Sequence, residues 1–108
     1  MATARLIINR RIVDSVPAST TKVVDMVPEG SVYSVEYHIN MRKPDNTFSK
    51  TIKVLVDTDD TNVQDTVWAR MGQLDVLVNI QKDSGYIKLQ LQNNEAFDVD
   101  VRVIRQLT

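Results

Sequence analysis

The strongest constraint in this sequence is a period of two. From Val32 to Asn40 the chain reads Val-Tyr-Ser-Val-Glu-Tyr-His-Ile-Asn, and from Leu74 to Ile80 Leu-Asp-Val-Leu-Val-Asn-Ile. From Tyr86 to Gln92 it reads Tyr-Ile-Lys-Leu-Gln-Leu-Gln. Successive side chains on a strand point to opposite faces, so such a segment buries one face and solvates the other. Helical spacing is nearly absent, which argues against ββα and α/β folds. Short strands separated by turn signals predict an all-β chain. The expected architecture is an antiparallel β-sandwich, Ig-like or jelly-roll-like, of about seven to eight strands, with a squashed barrel as the alternative closure.

The turns place the strands. A first extended segment runs over residues 6–13, with Arg10 and Arg11 interrupting its apolar positions, and a second over 20–27, closed by Pro28-Glu29-Gly30. In the third, over 31–41, Tyr33, Val35, Tyr37, Ile39 and Met41 share one face and Ser34, Glu36, His38 and Asn40 the other. Lys43-Pro44-Asp45-Asn46 predicts a hairpin into a fourth strand, 47–57, with Phe48, Ile52, Val54 and Val56 on one face. Residues 63–70 read as a strand centred on Val67 and Trp68, with a short helix capped by Asp60 or Thr61 as the alternative. Strands follow over 73–81 and 86–92, joined through Gly85 in a left-handed position, and over 98–107, with Val99, Val101 and Val103 inward.

At 108 residues the chain fits one domain. The expected division is an extended N-terminal arm or edge strand over 1–13 and a single sandwich over 14–108. Net charge is −1, which gives no pull towards nucleic acid. Residues 1–55 carry eight Lys/Arg and five Asp/Glu, and residues 56–108 five and nine. Intermixing of the two halves in one sandwich would cancel that imbalance. Contact between opposite-sign surfaces of neighbouring copies is its functional use. There is no cysteine, which excludes thiol catalysis, disulfides and cysteine-based zinc sites. No apolar run approaches membrane-spanning length, and the apolar stretch near the start is too short for a signal peptide, so the expectation is a chain kept in the cytoplasm until assembly.

The polar positions hold no evident catalytic set. His38 is the only histidine, and beside Glu36 it reads as part of a solvated strand face before it reads as an acid–base pair. Asp57, Asp59 and Asp60 lie together, but the glycine of a sharp calcium loop is missing, so a solvated loop or helix cap is the stronger reading. Three isolated glycines make no phosphate cradle. No catalytic, cofactor-binding or metal-ligating residues are assigned, and no cofactor is implied. Arg10-Arg11 and Arg42-Lys43 are basic pairs without interleaved aromatics, suited to an anionic protein partner or to solubility. Trp68 and Arg70 are residue types enriched in interface centres, although Trp68 serves equally as half-buried core. Tyr33 and Tyr37 read as core lining, with stacking on a sugar as the lesser alternative.

From Asp14 onward the chain resembles a small all-β module of virion structural proteins of tailed bacteriophages. The resemblance rests on ordered short patterns: Val-Asp-Ser, Thr-Lys-Val-Val, Tyr-Ser-Val-Glu-Tyr-His-Ile, Ala-Arg-Met-Gly-Gln-Leu-Asp-Val, Gly-Tyr-Ile-Lys-Leu-Gln-Leu-Gln and a closing Asp-Val-Arg-Val-Ile-Arg. It covers roughly residues 14–105. It implies a non-enzymatic virion protein assembled in the host cytoplasm. The first expectation is an accessory capsid protein, a cement or decoration binding the major capsid protein. A neck, tail or fibre-base component is second, and a carbohydrate-binding sandwich third. The expected partners are other virion proteins, in many copies on a symmetric lattice or as a homo-oligomer, with no nucleic acid and no membrane. Arg10, Arg11, Trp68 and Arg70 are the expected partner-binding residues, and the first dozen residues are expected to dock by strand addition.

Overall fold

Alternation fixes the strands and their inward residues bring them together. The computed structural model describes residues 9–28, 34–58 and 63–107; the side chains of Asn9 and of residues 58–71 lie outside the described residues. Eight strands follow in order: β1 (Asn9–Val16), β2 (Thr21–Pro28), β3 (Ser34–Arg42), β4 (Ser49–Thr58), β5 (Val63–Gly72), β6 (Val76–Asp83), β7 (Tyr86–Asn93) and β8 (Val99–Leu107). They form a five-stranded sheet, β1-β8-β3-β4-β5, and a three-stranded sheet, β2-β7-β6. Every pairing is antiparallel. The fold is therefore the expected all-β sandwich, with no helix among the described residues. Residues 63–70 take the strand form and not the helical one.

The core lies between the sheets. Val35, Tyr37, Ile39 and Met41 of β3 face Ile87, Leu89 and Leu91 of β7, and all seven are fully buried. Val99, Val101, Val103 and Leu107 of β8 and Ile52, Val54 and Val56 of β4 complete the wall of the larger sheet. Each such side chain contributes about 1.5–3 kcal/mol of burial. Phe48 departs from the expected pattern: β4 starts one residue after it, and its ring is 47% exposed in the preceding loop. Lys43 Nζ lies 5.8 Å from the centre of that ring and 4.7 Å from that of Phe97.

The turns follow local chemistry. Asn46 donates its N–H to the Lys43 carbonyl at 2.8 Å and takes a φ of 63°, so the Pro44-Asp45 turn ends in a left-handed residue. Ser84 and Gly85 have φ values of 53° and 81° between the paired Asp83 and Tyr86. Two central residues with positive φ make a two-residue hairpin of the type that matches strand twist, and the register shows no bulge there.

Two internal fastenings hold the sandwich closed at one end. Asn93, 1% exposed, donates through Nδ2 to the carbonyls of Val16, Pro17 and Phe97 at 3.1, 3.3 and 2.9 Å. Its Oδ1 accepts the Glu95 N–H at 2.9 Å. Lys50 Nζ donates to the carbonyls of Leu74 and Val76 at 3.2 and 3.1 Å, tying β4 to the start of β6. Asn93→Ala leaves buried carbonyls without a donor and should cost about 2 kcal/mol, read as a lowered denaturant midpoint.

The expected cut between arm and domain falls at residue 13. In the structure residues 9–13 belong to β1, whose pairing with β8 continues without a break to Val16. Residues 1–8, and with them the first half of the expected docking arm, lie outside the described residues.

Candidate functional site

The outer face of the five-stranded sheet collects most of the unburied chemistry. Antiparallel pairing puts directly opposed residues on one face. Since Val103 and Val101 of β8 point inward, Ile104, Arg102 and Asp100 point outward. Their partners follow. Arg11, Ile104, His38 and Lys53 form one row across β1, β8, β3 and β4. Val13, Arg102, Asn40 and Thr51 form the next, and Ser15, Asp100, Arg42 and Ser49 the third.

Two shallow depressions lie along these rows. One, of about 300 Å³, is lined by Asn40, Arg42, Asn46, Asp100 and Arg102. The other, of about 280 Å³, is lined by Arg11, His38, Asn40, Arg102 and Ile104. They share Asn40 and Arg102 and so adjoin. Asn40 donates to Thr51 Oγ1 at 2.9 Å and accepts from Arg42 Nε at 3.1 Å, which holds the Arg42 side chain along the sheet. Arg11, Arg42 and Arg102 make no ion pair among the described residues. Val13, Leu55 and Ile104 are 69%, 45% and 53% exposed on the same face. Guanidinium forks beside exposed aliphatic carbons suit an acidic, partly apolar protein surface.

The sequence expectations map onto this face unevenly. Arg11 stands in it, opposite Ile104. Arg10, one residue earlier, falls on the other side of β1 and lines a separate depression with Val23, Val24, Asp25 and Met26. Arg70 pairs with Ile52 of β4, and Trp68 is the extra residue of a β-bulge between the Lys53–Ala69 and Val54–Val67 pairs. The side chains of Trp68 and Arg70 lie outside the described residues. His38 is exposed among basic and amide neighbours. Tyr37 is fully buried, so the sugar-stacking alternative loses it, and Tyr33 lies outside the described residues. Asp57 is exposed at the end of β4, and Asp59 and Asp60 lie outside the described residues. No group of three or more His, Cys, Asp or Glu that could hold a metal occurs among the described residues.

A buried polar cluster that the sequence reasoning missed ties the two sheets together. In β2 the register shifts between Val23 and Asp25, so Val24 is an extra residue. The bulge breaks the alternation and turns both Val24 and Asp25 inward, leaving Val23 and Met26 exposed. The Asp25 carboxylate accepts from Arg105 Nη1 at 3.0 and 3.1 Å and from the Tyr37 hydroxyl at 2.7 Å. Arg105 and Tyr37 are opposed residues of β8 and β3, so one carboxylate from the smaller sheet fastens two strands of the larger. Burial, reinforced by the neighbouring Asp25 carboxylate, pushes the Tyr37 hydroxyl far above its ordinary value of 10.0. A raised native value favours folding below the unfolded value and loses that contribution as pH rises past it. Alkaline unfolding should therefore steepen above pH 10.0. In Tyr37→Phe that component of the pH dependence should vanish, as read by circular dichroism during a base titration.

No protein-family model matches the chain, and no curated protein sequence does. Among solved structures, the tailspike protein of Acinetobacter phage vB_ApiP_P1 has a similar fold. The TM-score is 0.53 at 13% identity, over 100% of this chain and 24% of the tailspike chain. The likeness is one of fold, and this chain spans about a quarter of the tailspike's length. No helix among the described residues is long and apolar enough to cross a membrane.

Proposed function

We propose that this chain is a non-enzymatic structural protein of a tailed-phage virion, docking on other virion proteins through the outer face of its five-stranded sheet. The observation that carries this reading is the fold: the whole chain superposes on a segment of a phage tailspike. It agrees with the ordered strand patterns of the sequence. The groove supports a binding role, since its arginines and amides present hydrogen-bond donors along a shallow exposed face.

The placement we propose first is the capsid surface, as an accessory protein that buries surface at junctions of the major capsid protein. Cationic forks on a rigid sheet suit a repeated acidic surface, and modest affinity per copy suffices on a symmetric lattice. A tail placement is the second reading, and the tailspike likeness favours it. Quantitative mass spectrometry of purified virions separates the two. A capsid protein is present in numbers comparable to the major capsid protein and stays with emptied heads. A copy number of a single ring, travelling with detached tails, assigns the chain to the tail. Absence from virions removes both.

A further inference from the structure

The four sheet edges are not protected alike. An open edge invites another strand, and proteins blunt it with bulges, proline or charge. The β5 edge carries the bulge at Trp68, and the β2 edge carries the bulge at Val24 and ends in Pro28. The β1 edge carries Arg10 and Arg11. β6 carries charge only at its turn end, Lys82 and Asp83, and has none of these devices over Val76-Leu77-Val78-Asn79-Ile80-Gln81; it pairs with β7 over eight residues without a register shift.

The hairpin fixes which backbone groups of β6 face outward. Asp83 and Tyr86 flank a two-residue turn and exchange hydrogen bonds, so alternate residues Gln81, Asn79 and Leu77 bond to β7. The N–H and C=O groups of Ile80, Val78 and Val76 then face the free edge. Lys50 Nζ caps the Val76 carbonyl, which agrees with this assignment. Val78 and Ile80 have no such cap among the described residues. Their side chains are only partly covered by the core, and Leu77 is 52% exposed on the outer face.

We infer that β6 is a self-pairing edge, at which a second copy of this chain adds its own β6 antiparallel and joins two three-stranded sheets into one of six strands. An antiparallel strand complements itself when its side chains tolerate their own mirror. With Asn79 opposite the second copy's Asn79, Val78 stands opposite Ile80, and those two residues exchange backbone bonds in both directions. The inner row then continues as Val and Ile at its centre, with Val76 opposite the second copy's Lys82 at each end. The outer row of Leu77, Asn79 and Gln81 carries no charge, so the centre of the contact is free of repulsion, and the like charges of Asp83 and the second copy's Asp75 meet only at its two ends. The outer face of the larger sheet is less suited to this, because its charges, Arg11, Arg42, Lys53 and Arg102 with Glu36, Asp57 and Asp100, do not mirror themselves across an axis. The contact does not depend on the proposed place in a virion and leaves the arginine groove open.

Sedimentation velocity of the purified chain over a range of about 10 µM to 1 mM tests it, because a contact of this size is weak. The weight-average mass should rise towards twice the chain mass. Asn79→Lys and Asn79→Glu should each weaken association about tenfold or more by placing like charges across the axis, and an equimolar mixture of the two should restore it. Amide exchange at Val78 and Ile80 should slow with concentration while Asn79, bonded to β7, stays unchanged. A monomer at every concentration, or variants that associate like the parent, overturns the proposal. A dimer without protection at Val78 and Ile80 places the contact elsewhere and overturns it as well. Circular dichroism confirms that both variants fold, since Asn79 is exposed.

Discussion

Arg105→Met should destabilise the fold by about 3–5 kcal/mol, the largest loss expected from a single substitution of a polar residue here. Removing the guanidinium strands the Asp25 carboxylate, which is 5% exposed and would keep only the Tyr37 hydroxyl as partner. A stranded buried charge costs far more than the net worth of the pair it came from. For a domain of this size, whose whole stability is about 5–15 kcal/mol, the melting temperature should fall by about 15 °C or more. The pair is not thereby a strong net contributor. Asp25→Leu combined with Arg105→Met replaces both charges by apolar groups and should recover most of the loss. Arg105 Nε has no hydrogen-bond partner among the described residues. Urea midpoints of the two single variants and the double variant decide the point. Single and double variants that lose equally would show that the cluster acts through packing.

Gly72→Ala should cost about 2–4 kcal/mol. Gly72 closes β5 with a φ of +93°, where a side chain is strained whatever the space. A Cβ there would also overlap the Ser49 carbonyl oxygen and sit 2.9 Å from the Lys50 Cα, so backbone must move. That oxygen accepts the Gln73 N–H at 2.9 Å, and the displacement would break this bond where the chain crosses from one sheet to the other. Gly85 supplies the control. Its φ is +81° with nothing within 4 Å of an added Cβ, so Gly85→Ala should cost only the conformational term of about 1–2 kcal/mol. Equal losses at the two positions would mean that the close approach at Ser49 is relieved without cost.

Much of this architecture was legible because alternation is a local property. Val35, Tyr37, Ile39 and Met41 could be placed inward, and His38 outward, from spacing alone, and the structure agrees. Arg105 shows where chemistry misleads. Its position in the Val99, Val101, Val103 series points inward, but a charge at that place reads as surface until a partner is visible. The partner could not be read, because Asp25 faces inward only through the bulge at Val24, and a bulge is set by pairing with β7 and leaves no mark in one strand's own sequence. The groove was hidden for a similar reason. Arg11, Arg42 and Arg102 come from β1, β3 and β8, and only the register brings them to one face. Arg10 and Arg11, adjacent in sequence, part company because neighbours on a strand point apart.

The role proposed for the basic outer sheet face is to hold this chain on other virion proteins. Its most direct test is co-sedimentation of purified chain with virions stripped of it, comparing the parent with Arg42→Glu combined with Arg102→Glu. Both positions are exposed, so the double variant should keep its circular dichroism spectrum and melting temperature. The parent should bind saturably and less tightly as salt rises, and the variant should lose about tenfold or more in affinity. A folded variant that binds stripped virions as well as the parent would contradict the account.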